Sequence, residues 1–164
     1  FFFTADDAES LITRNKDWHD GSLVSGNASA TMALLKLSRL CDRDDYREAA
    51  ERTLQAGSDI LAKQSAACGA LLSALDRYRH DHEQMVLAVS DNETMVQLRA
   101  RYLGKFRPHA TLSWVIGDKP DSGVIKLNDR QTAIDGGPTL YQCRDFTCER
   151  PMVGDEVEQW FTES

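Results

Sequence analysis

The chain has 164 residues, 41% of them hydrophobic and 27% charged, and a formal net charge of −7. That length holds one sizeable core or two small ones, and the composition argues against extensive disorder. An acidic surface repels phosphate backbones, which argues against nucleic acid as a partner, and no apolar run approaches membrane-spanning length.

The first residue is Phe, with no charged leader and no signal-peptide core after it. Phe1-Phe2-Phe3 reads as the interior of a strand or packed segment. The expectation is a piece of a longer polypeptide, a processed N-terminus being the alternative. The four cysteines, Cys41, Cys68, Cys143 and Cys148, are too few for a dense disulfide framework and fit a reducing, cytoplasmic setting.

The first half reads as helical. From Ala28 to Leu40, the residues Met32, Ala33, Leu34, Leu35, Leu37 and Leu40 leave almost no polar face, which predicts a central helix. A turn at Asp42-Arg43-Asp44 leads to an amphipathic helix over about 45–63. Its inner stripe is Tyr46, Ala50, Leu54, Gly57 and Leu61, and its other face carries Arg47, Glu48, Glu51, Arg52 and Asp59. Ser65 is placed to cap a third helix striped by Cys68, Leu71, Leu72, Leu75 and Tyr78. Inner and outer helices in alternation are what an array of αα-hairpins needs, and three are too few to close one.

The pattern changes near His82. Met85 to Ser90 is a short apolar run bounded by polar residues, hence a buried strand. Asp91 or Asn92 can cap a helix to about Leu103, and Thr111–Ile116 is a second strand, completing a βαβ unit with a parallel pair. A loop-rich stretch follows over 117–138. A third strand spans about Thr139–Cys143, a turn at 144–147 returns the chain as a hairpin over Cys148–Val153, and a closing helix buries Val157, Trp160 and Phe161. The expected class is α+β or α/β. Residues 1–82 form a helical segment of αα-hairpins, and residues 83–164 a small α/β unit with a three- to four-stranded mixed sheet.

Three groups of residues carry candidate chemistry. The first combines Asp6, Asp7, Glu9, Asp20, Ser25, Gly26 and Asn27. Gly26 allows a tight turn, and Ser25 or Asn27 can cap the helix from Ala28. This is either a capped helix start with acids favouring its dipole, or a polar pocket. In a pocket, carboxylates can do acid–base work or hold sugar hydroxyls. The second is Cys143 and Cys148, two thiols with four residues between them. That gap is not a thioredoxin-type spacing and lacks a second pair of zinc ligands. The two are either unpaired strand thiols or a reversible disulfide across a hairpin. The third is His80-Asp81-His82-Glu83, where alternating His can bind metal in an extended segment, or where His80 favours a helix C-terminus. The chain has no dinucleotide fingerprint, phosphate loop or Gly-x-Ser-x-Gly elbow. No cofactor and no metal is expected.

Phe2-Phe3-Thr4 through Asp7-Ala8-Glu9, and then Asp20-Gly-Ser-Leu-Val-Ser-Gly-Asn-Ala28, resemble the YyaL-type, spermatogenesis-associated family of thioredoxin-domain-containing proteins. So do Phe106-Arg-Pro-His-Ala-Thr-Leu112, and Pro138-Thr-Leu-Tyr-Gln-Cys143 running on to Phe146-Thr-Cys148 and Pro151. The resemblance covers nearly the whole chain and only the C-terminal part of such proteins. That family often has Pro where this chain has Val24. The resemblance implies a thioredoxin-like domain followed by an (α/α) toroid similar to six-hairpin glycosidases and sugar 2-epimerases. This chain would supply the last toroid helices and a terminal α/β unit. A parent enzyme would act on sugars, while this piece alone would be inactive. Asp20 would be catalytic, with Asp7, Ser25, Gly26 and Asn27 binding substrate. Cys143 and Cys148 match the terminal motif as a redox pair. The implied partners are the thioredoxin-like domain, the remaining toroid helices and a small carbohydrate. Self-association through the exposed helical face is a further expectation, as is a non-catalytic interaction or redox-accessory role.

Overall fold

The structure, a computed structural model, describes residues 1–2, 4–5, 7, 12–80, 83–117, 123–129, 131–144 and 147–163. These group into two compact units. One comprises Phe1–Ser38 and Arg43–His80, the other Arg39–Asp42 and Asp81–Ser164. Asp6, Glu9 and His82 lie outside the described residues.

Four helices build the first unit: α1 (Gly26–Cys41), α2 (Asp44–Ala56), α3 (Ser58–Gln64) and α4 (Gly69–Arg79). Their core is Trp18, Ala28, Leu54, Leu61, Cys68, Leu71 and Ala74. Helix α1 is not apolar on every buried side, as its sequence predicts. Asn27, Thr31 and Ser38 are buried, while Ala33 and Leu37 are exposed. The buried hydroxyls are satisfied within their own helix. Thr31 Oγ1 donates to the Asn27 carbonyl at 2.7 Å, and Ser38 Oγ to the Leu35 carbonyl at 2.9 Å. Such back-bonding removes the cost of burying a hydroxyl, so the inward face need not be apolar.

The single helix expected over 45–63 is two helices. The stripe of Ala50, Leu54, Gly57 and Leu61 is buried as read, but Gly57 separates α2 from α3. Its φ of −92° is open to any residue, so conformation does not demand glycine. Space does. A Cβ there would lie 2.8 Å from Trp18 Cζ3 and 2.9 Å from Leu71 Cδ2. Ser65 does not cap the next helix either. Ser65–Ala67 form a 3-10 turn, and α4 begins at Gly69 with a different capping group.

The second unit runs β1 (Gln84–Val89), α5 (Asn92–Leu103), β2 (Thr111–Ile116), β3 (Thr139–Arg144), β4 (Thr147–Cys148), β5 (Met152–Val153) and α6 (Asp155–Glu163). The sheet order is β2-β1-β3-β4, with β5 also on β3. β1 and β2 are parallel, joined through α5, and β3 is antiparallel to β1. Among the described residues the mixed sheet runs through four strands with a fifth, β5, beside β3, because the expected return segment splits into two short strands. Asp91 caps α5 as expected, its carboxylate accepting the Thr94 N–H at 2.8 Å.

β1 is buried at every position because both faces of the sheet are covered. Met85, Leu87 and Val89 pack with Leu140 against Met95 and Leu98 of α5 and Val157 and Phe161 of α6. Val86 and Ala88 face Val115, Leu127, Tyr141 and Leu40, the last from the Arg39–Asp42 segment of this same unit. A continuous apolar run is what a strand with two covered faces requires. The fold is α+β. Among the described residues, no helix is long and apolar enough to cross a membrane.

Candidate functional site

The polar turn before α1 is held by side chains that bond backbone. Ser25 Oγ accepts the Ala28 N–H at 3.2 Å and caps α1. Asp20 bridges two chain segments. Its Oδ1 accepts the Ser25 N–H at 3.0 Å, and its Oδ2 accepts the Ala70 N–H at 2.8 Å. The carboxylate thus supplies the cap that α4 lacks locally, and its charge opposes the positive end of that helix. The Ala70 bond, then the Ser25 bond, hold the Asp20 carboxyl below the usual carboxylate range.

Asn27 is buried and works in the same way. Its Nδ2 donates to the carbonyls of Asp17 at 2.8 Å and Phe1 at 3.1 Å, and its Oδ1 accepts from the Phe1 amino group at 2.6 Å. Gly26 is the first residue of α1, its φ is not positive, and open space surrounds the position of a Cβ. Neither backbone conformation nor space requires glycine there. Asp7 is exposed and takes no part in these bonds. The structure therefore joins Asp20 to Ser25 through backbone, and sets Asn27 beside a different acid.

That acid is Asp17, which sequence reasoning passed over. Phe1, Phe2, Asp17, Gly26 and Asn27 line a small cavity of about 240 Å³. Arg14 and Lys16 stand over the Phe2 ring, at 4.3 Å and 4.8 Å from its centre. The only sequence signal for Asp17 was an acid next to Trp18, a residue buried in the core.

Two larger grooves flank α4. One, of about 500 Å³, lies against α2 and α3 and is lined mainly by Leu54, Leu61, Ala62, Leu72 and Leu75, with Glu51 and Tyr78 at its polar edge. Burial, and then the Glu51 carboxylate hydrogen-bonded to it, push the Tyr78 hydroxyl up from its ordinary range. The other, of about 430 Å³, lies against α1 and is lined by Val24, Ala28, Met32, Ala33, Lys36 and Ala70, among others.

In the second unit Cys143 and Cys148 are joined as a disulfide, correcting the reading as unpaired strand thiols. They are directly opposed across β3 and β4. The next pair outward is hydrogen-bonded, Glu149 N–H to the Gln142 carbonyl at 2.9 Å. The cysteines therefore occupy a non-hydrogen-bonded position, where opposed side chains approach most closely. Cys41 and Cys68 are free and buried. Burial, with the Asp20 charge second, pushes the Cys68 thiol up, so it is a poor nucleophile. His80 follows the end of α4, its Nδ1 2.8 Å from the Asp76 carbonyl and 2.9 Å from the Asp76 carboxylate. That is the helix-end role; the His-x-His pairing falls on His82, which lies outside the described residues.

No family model matches the chain, and no solved structure matches it. The chain is similar to the uncharacterized protein B0495.5 of Caenorhabditis elegans, with 24% identity over 164 residues, covering 98% of this chain and 22% of that protein. The chain thus spans about a fifth of the length of the curated relative it matches.

Proposed function

We propose that this chain is a non-catalytic packing and interaction module of a longer polypeptide, with the helical unit received by neighbouring helices. The observation that carries this reading is the pair of largely apolar grooves on either side of α4. Leu72, at 38% exposed, lines one of them, and Val24, at 54%, lines the other. Such grooves are what an inner helix presents when hairpins stack side by side. The length of the curated relative supports the same reading, as does the resemblance to an (α/α) toroid preceded by a thioredoxin-like domain. The setting we propose is cytoplasmic, in which Cys41 and Cys68 stay free and the Cys143–Cys148 bond is an exchangeable one.

Hydrogen exchange tests this. Residues 54–75 gain protection in a longer natural polypeptide containing this chain, relative to the chain alone. Equal protection in both forms removes the proposal.

A second reading is contact with a small carbohydrate, as the sugar-enzyme resemblance implies. What favours it is the cavity of about 240 Å³ beside Asn27, which Phe1, Phe2 and Asp17 also line. Its acid is Asp17 rather than Asp20, whose two oxygens are engaged by N–H groups. Titration with monosaccharides shifts the amide signals of residues 17 and 27, and Asp17→Asn weakens the shift. Unmoved signals at high sugar concentration remove this reading.

A further inference from the structure

We propose that Cys143 and Cys148 form a thiol–disulfide exchange site, with Cys148 the attacking and attacked sulfur and Cys143 the resolving one. The two positions are chemically unequal. Cys148 lies on an exposed two-residue strand, whereas Cys143, on β3, is 3% exposed. Gln131 Nε2 lies 3.6 Å from Cys148 Sγ and points a donor at it. That donor stabilises a thiolate on Cys148 once the bond is open, which suits it as the attacking sulfur in the oxidising direction; in the reducing direction it is exposure that selects Cys148, since an external sulfur has access to it alone. The Cα atoms are 3.9 Å apart and paired in register, so Cys143 stays within reach to close the bond again.

The chemistry balances with partners of one class. In the reducing direction the thiolate of an external dithiol attacks Cys148 Sγ. The Cys143–Cys148 bond breaks, and Cys143 leaves as a thiolate that takes up a proton. The partner's second thiolate then attacks its own sulfur on Cys148, releasing the Cys148 thiolate and carrying both electrons' worth of oxidation away as the partner's disulfide. In the oxidising direction Cys148 attacks an external disulfide, one thiol leaves, and Cys143 resolves the mixed disulfide by attacking Cys148 Sγ and expelling the second thiol. The partner is a protein or peptide dithiol able to approach a strand end. The inference uses only the second unit and stands apart from the grooves around α4.

The test uses the whole chain with glutathione. Brief exposure of the native protein to reduced glutathione, followed by alkylation and peptide mapping, places glutathione on Cys148 and the alkyl group on Cys143. Cys41 and Cys68 stay unlabelled. With glutathione disulfide, Cys143→Ser forms its mixed disulfide at Cys148 on the order of tenfold faster than Cys148→Ser forms one at Cys143. The reverse placement overturns the proposal. So do equal rates in two variants that keep the wild-type circular dichroism, and so does a bond that glutathione opens only in denaturant. Where a variant misfolds, the mapping on the native protein decides alone.

Discussion

The Asp20 carboxylate accepts the backbone N–H of Ala70, fifty positions further along the chain, at 2.8 Å. The same group holds Ser25, so one side chain fixes the approach to α1 and the start of α4 together. Asp20→Ala removes both acceptors and lowers the thermal midpoint by several degrees, while Asp20→Asn keeps one acceptor oxygen and falls between. Amide exchange quickens at residues 25 and 70 in both variants. Wild-type exchange at either amide in Asp20→Ala would show that the cap is not used.

The pH dependence of that cap has a definite sign. The folded-state pKa of Asp20 lies below its ordinary value because the two N–H groups favour the charged form. Between the two values the unfolded chain binds more protons, so stability rises with pH there. The contribution is complete above the unfolded pKa, about 3.9 for Asp, and is lost as the pH falls through the folded value. The stability gap between wild type and Asp20→Asn should therefore be constant near neutrality and narrow at acid pH. A gap that widens on acidification contradicts the assignment. Chemical denaturation at a series of pH values reads this directly.

Gly57 has its own consequence. Its missing side chain admits the Trp18 ring and Leu71 between α2 and α3. Gly57→Ala should destabilise by about 1–3 kcal/mol through overpacking and shift the Trp18 emission. Gly26→Ala, where nothing lies within 4 Å of the added methyl, should cost no stability. Urea titration of the two variants separates a steric requirement from a general intolerance of side chains at glycine.

What the sequence made legible is local. The apolar run of β1, the spacing of β2 and the Asp91 cap of α5 each follow from a few adjacent residues. What it hid depends on residues far apart. The helical period runs unbroken through Gly57, and only the arrival of Trp18 from another segment shows why glycine stands there. Ser65 looked like a cap because the acid that caps α4 comes from residue 20. Asp17 carries no signal beyond its place next to Trp18, since it joins its cavity only once Asn27 reaches its carbonyl from further along the chain. The cysteine pair stayed open until the register set 143 against 148.

Leu87 tests the two-faced burial of β1. It is fully buried within the cluster that joins the sheet to α5 and α6. Leu87→Ala removes several methyl-sized groups and leaves a cavity between three elements that cannot all relax toward it. The expected cost is about 2–5 kcal/mol. By contrast, Glu158→Gln breaks an exposed ion pair with Arg101, 2.6 Å long, between α6 and α5. Both of its groups are about half exposed, so water and salt screen the pair, and its loss should cost under about 1 kcal/mol. The ranking matters more than either value. If the two substitutions destabilise equally in urea titration, the helices are held to the sheet by their rims rather than by the apolar layer beneath them. Repeating the titration at high salt separates the cases further, since salt weakens the Arg101–Glu158 contribution and leaves that of Leu87 in place.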